Sequence, residues 1–100
     1  MSAGLQGHEK TDQRSVQLHR VIAEKLRAQP ELLEIAMQNI ERQLSGRSRR
    51  YAEAWRELLA RPVAEWLPRL SEDSEEMRAM RQSTPFAGIL SAKERWRVYL

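Results

Sequence analysis

Arg81-Gln-Ser-Thr-Pro85-Phe-Ala-Gly88-Ile-Leu-Ser91-Ala-Lys-Glu94-Arg-Trp96 is the longest stretch without a helical pattern in a chain that is helix-patterned from Asp12 onward. Thr84-Pro85 disfavours helix at the residue before the proline, and Gly88 permits a backbone turn that other residues resist. Ser91 followed by Glu94 has the spacing of a capping box, in which each side chain satisfies an orphan backbone N–H of a new helix. The stretch therefore predicts a helix ending near Gln82, an apolar crossover, and a last helix starting at Ser91. Short helices joined by short connections follow from it.

Working outward, one hundred residues with 41% apolar and 31% charged content suit one modest core inside narrowly amphipathic helices. The net charge of +3 comes from 17 basic residues interleaved with 14 acidic ones, so charge alone does not select a nucleic-acid partner. No cysteine is present, which excludes a disulfide framework and thiolate chemistry. No run of 18 apolar residues suggests a membrane span, and Met1–Thr11 lacks the apolar centre of a signal peptide. A soluble cytoplasmic protein is the expectation.

Residues 1–11 are polar and glycine-containing and read as a disordered lead, with His8 as a solvated imidazole; residues 12–100 read as a single helical domain. Val16, Leu18, Val21, Ile22 and Leu26 give a first helix over Asp12–Gln29, with His19 packed at the edge of its apolar stripe. Pro30 suits the first turn of a second helix, which Leu33, Ala36, Met37, Ile40 and Leu44 carry to a stop at Gly46. Ser48 is placed to cap a third, with Tyr51, Ala54, Trp55, Leu58 and Leu59 on its apolar face. Val63, Trp66, Leu67 and Leu70 make a short piece distorted at Pro68. Glu72, Asp73, Glu75 and Glu76 match the dipole of a fifth helix capped by Ser71 or Ser74. The fold class expected is all-α, a compact bundle of five to six short helices, with Leu33, Ile40, Trp55, Leu58 and Trp66 buried together.

Catalytic equipment is missing. The glycines at 4, 7, 46 and 88 form no phosphate-binding loop, there is no metal-ligand spacing, and His19 has no nucleophile placed beside it. The reading is not an enzyme, with no cofactor and no metal.

The segment Arg81–Trp96, together with Ser15-Val-Gln-Leu-His19 and Tyr51-Ala-Glu-Ala-Trp55, resembles a group of short bacterial proteins associated with toxin–antitoxin gene pairs. The similarity runs from about Ser15 to Trp96. It implies an antitoxin-like protein whose partner is a cognate toxin. The chain departs from well-described antitoxins in having no ribbon-helix-helix segment and no long tail for wrapping a toxin.

Two functions are expected on different residues. The first is a protein-interaction module that binds and neutralises a partner protein through Phe86, Ile89, Leu90, Trp96 and Tyr99, since aromatic residues dominate interface hot spots. The second is a DNA-binding helix-turn-helix, with helices Glu31–Leu44 and Ser48–Ala60 flanking Ser45-Gly46-Arg47 and with Arg47, Arg49, Arg50 and Arg56 reaching the duplex. Glu53 and Glu57 oppose the second reading by repelling phosphate. Oligomeric state is left open.

Overall fold

Six α-helices follow one another in the computed structural model: α1 (Ala3–Ala28), α2 (Leu33–Gln43), α3 (Arg49–Leu59), α4 (Val63–Trp66), α5 (Glu75–Gln82) and α6 (Ala92–Tyr99). The structure describes residues 3–99, with side chains from Asp12 to Tyr99. The expectation for the His8 side chain lies outside the described residues. No strand occurs among those described, so the all-α bundle is observed.

The first helix starts nine residues earlier than the amphipathic stripe predicts, at Ala3 instead of Asp12, across the segment read as a lead. Once a helix is nucleated, each added residue gains a hydrogen bond, so propagation outruns the apolar pattern. At 1.5 Å per residue a helix of this length spans about 39 Å, close to the 42 Å longest extent of the molecule.

The prolines act where the backbone demands it. Pro30 opens a 3₁₀ turn, Pro30–Leu32, that leads into α2. Pro68 ends the continuation of α4 and starts a second 3₁₀ turn, Pro68–Ser71. Ser74 caps α5, its hydroxyl accepting from the Met77 N–H at 3.2 Å. The Ser91 capping box is formed in both directions, with Ser91 N to Glu94 Oε1 at 2.8 Å and Glu94 N to Ser91 Oγ at 3.1 Å. Ser48 precedes α3 but makes no side-chain cap.

Helix α3 lies at the centre, packed on α2, α4 and α5, while α1 is laid across the Pro68–Ser71 turn and α6. Ile40, Trp55, Leu58 and Trp66 are buried together as expected, joined by Leu70, Met77 and Phe86. Leu33 is half-buried and packs at the margin. Trp55 also anchors its polar end, donating from Nε1 to the Met80 carbonyl at 2.9 Å.

Candidate functional site

The crossover Ser83–Leu90 enters the core instead of lying on it. Pro85, Phe86, Ile89 and Leu90 are buried, and Phe86 meets Trp55 edge to face at 5.3 Å and 84°. A loop that enters a core brings backbone carbonyls needing donors, and neighbouring helices supply them. Asn39 donates from Nδ2 to the Pro85 carbonyl at 2.7 Å and the Ala87 carbonyl at 2.9 Å. Gln43 reaches the Thr84 carbonyl at 3.3 Å, and Lys25 donates to the Ile89 carbonyl at 2.8 Å. Gly88 sits at φ +92°, a conformation that side chains with a Cβ rarely adopt, so the turn requires glycine there.

His19 closes the same pocket from α1. Its Nδ1 is 2.7 Å from the Ser15 carbonyl, which can only accept, so the proton is on Nδ1. Nε2, 2.9 Å away from Thr84 Oγ1, therefore accepts from that hydroxyl, which in turn accepts from the Phe86 N–H at 3.3 Å. Burial pushes the imidazole from 6.5 down to about 4, with the Arg81 guanidinium adding to the fall and the Ser15 hydrogen bond opposing it. His19 is a neutral strut between α1 and the loop.

These contacts divide the five-residue docking set expected from the sequence. Phe86, Ile89 and Leu90 are core residues, at 2%, 2% and 6% exposure, and no partner reaches them without opening the fold. Trp96 and Tyr99 stand outside at 66% and 46%. They belong to α6, which has no buried residue at all. Its half-buried Glu94 and Val98, four apart, face α1, and Trp96 points away from them. Lys25 fastens the helix: its Nζ is 2.6 Å from Glu94 Oε1. The Lys25 contact, with the Ser91 N–H behind it, holds the Glu94 carboxyl well below its ordinary value. Exposed Lys93, Arg95 and Arg97 surround Trp96. Between α1 and α6 lies an open groove of about 440 Å³ lined by Gln17, Arg20, Val21, Glu94, Arg97 and Val98.

The arginines of the second expectation are all exposed: Arg47 in the turn before α3, and Arg49, Arg50 and Arg56 on it. Arg49 is engaged with Glu53 at 3.0 Å, and the Arg50 guanidinium lies over the Tyr51 ring at 5.9 Å. Exposed Glu53 and Glu57 share the outward face with the three α3 arginines, so that face alternates in sign.

One cluster escaped the sequence reading. Arg81 is buried, donating from Nη1 to the Glu72 carbonyl at 2.8 Å and the Leu70 carbonyl at 3.3 Å. Asp12 of α1 supplies its countercharge at 3.6 Å and also pairs with Arg78 at 3.3 Å. Three of the acids before and within α5 are likewise committed locally, Glu72 and Glu76 to Arg69 and Asp73 to Arg78. Nothing in the local pattern of Asp12 points to a partner on α5. Comparison with family models, with curated proteins and with solved structures gives no match.

Proposed function

We propose that the chain is a protein-interaction module and that α6 is its docking element. The observation that carries this reading is Trp96, a side chain of the largest apolar size left mostly in water on a helix that contributes nothing to the core. Tryptophan is rich in buried area once covered and is enriched among the residues that dominate interfaces. Tyr99, one turn further on, extends the same surface, and the Lys25–Glu94 pair presents both rings from a fixed helix. The antitoxin resemblance adds a particular form: the partner is a toxin whose activity falls when α6 engages it.

A photo-cross-linking residue at position 96, in the full chain expressed in its own cell, tests the docking role. The expected result is a discrete protein adduct from position 96 and none from exposed Glu34 on α2. Equal labelling from the two positions, or none from position 96, overturns it. DNA binding through α2 and α3 has less support, because Glu53 and Glu57 share the outward face of α3 with its arginines.

A further inference from the structure

The groove beside α6 carries information about the partner that Trp96 alone does not. It continues along α1 into a second depression of about 340 Å³ that shares Gln17 and Arg20 and adds Asp12, Val16 and Asp73 to the lining. The run from Asp12 to Val21 amounts to about 14 Å of helix, close to three turns. That length suits a helix laid alongside α1.

Charge in this trough is unequally committed. Each of its three acids already has an internal cation: Glu94 has Lys25 at 2.6 Å, Asp73 has Arg78 at 3.3 Å, and Asp12 has Arg78 and Arg81. Among the described residues, no ion pair involves Arg20, Arg97, Lys93 or Arg95. The charge left for a partner is therefore positive, beside an apolar floor of half-buried Val16, Val21 and Val98. Single-stranded nucleic acid fits less well, since strand binding uses successive open rings. The Tyr99 ring already has the Arg14 guanidinium over it at 5.7 Å.

Resting on the reading of α6 as a docking helix, we propose that this trough receives an acidic amphipathic α-helix of a partner protein. Its apolar ridge lies on Val16, Val21 and Val98, and its carboxylates meet Arg20 and Arg97. Helix-in-groove recognition of this kind combines apolar anchors at helical spacing with flanking charge. Charge complementarity then sets which helices are accepted.

The test titrates the full chain, by fluorescence anisotropy at low salt, against three labelled probes. The first is an amphipathic peptide of about 18 residues with Leu on one face and Glu on its flanks. The second is the same peptide with Lys in place of Glu, and the third is oligo(dT). The acidic peptide is expected to bind at least about tenfold tighter than its Lys counterpart and than oligo(dT). Arg20→Ala and Arg97→Ala should each weaken it by roughly fivefold and flatten its salt dependence. Circular dichroism of each variant checks that the fold is retained. Equal affinity for both peptides, a preference for oligo(dT), no saturable binding, or indifference to both arginine variants overturns the proposal. An adduct from position 96 in the cell with no acidic-peptide binding leaves the docking helix standing and removes the acidic partner; a missing adduct removes the docking helix itself.

Discussion

The Ser83–Leu90 loop and helix α6 adjoin in the chain and both carry large apolar side chains, yet their surroundings are opposite. The loop has no regular hydrogen bonding of its own, and its carbonyls are taken by Asn39, Gln43 and Lys25 from two other helices. Helix α6 satisfies its backbone internally, starts from its own capping box, and touches the body without burying any of its residues. The element with the less self-sufficient backbone is the one the fold must enclose. The self-sufficient helix can be left at the surface with Trp96 uncovered. Apolar side chains in the loop therefore serve stability, and the Trp96 and Tyr99 rings of α6 stay largely in water.

The sharpest way to break this contrast is to truncate one aromatic from each side. Phe86→Ala should cost about 3–5 kcal/mol, the range for emptying a buried aromatic site, read as a large fall in melting temperature. If Phe86→Ala melts like the parent protein, the loop is not part of the core.

A pH series sharpens the same side. Folded His19 resists protonation until about pH 4, whereas the unfolded chain takes the proton near 6.5. Stability from this group is thus complete above about 6.5 and declines as pH falls, levelling below about 4. The full difference is about 3 kcal/mol. Urea titrations at neutral and acid pH should show the His19→Gln variant losing less stability than the parent over that window. Parallel losses would show that His19 is not the titrating group.

Asn39→Ala should come next, at about 1–3 kcal/mol, because two loop carbonyls then lack a donor in a buried setting. Denaturant midpoints check it. On the α6 side, Glu94→Gln should speed amide exchange across Ala92–Tyr99 while exchange in α3 stays slow, since it weakens the Lys25 clasp on a helix with no buried residue and leaves the Lys25 bond to the loop in place. Uniform acceleration in both helices would mean that α6 is integral to the global fold. Smallest of all, Trp96→Ala should change stability by no more than about 0.5 kcal/mol, as expected of an exposed site. A melting temperature depressed as far as that of Phe86→Ala would erase the contrast.

Much of the architecture is legible in the sequence. The stripes of α1, α2 and α3, the Pro68 break, the Ser74 cap and the Ser91–Glu94 box all depend on residues within one or two turns of each other. Which of the five residues expected to dock are exposed was not legible. Phe86 and Trp96 look alike in sequence, as lone aromatics among small and charged neighbours, and their separation depends on what α1, α2 and α3 bring over the loop. The start of α1 was misplaced because apolar periodicity marks where a helix is buried, not where its backbone begins.

By itself the sequence determined the helical class, most helix boundaries and the path of the crossover, because turn chemistry, capping and periodicity act over short distances along the chain. The tertiary structure decided which aromatics are sealed and which are bare. It also decided that His19 is a neutral strut on Thr84, that Asp12 answers the buried Arg81, and that Lys25 fastens α6. Each of those outcomes joins residues from distant parts of the chain. Burial and ion pairing depend on what lies within a few ångströms in space, and no local pattern encodes that neighbourhood.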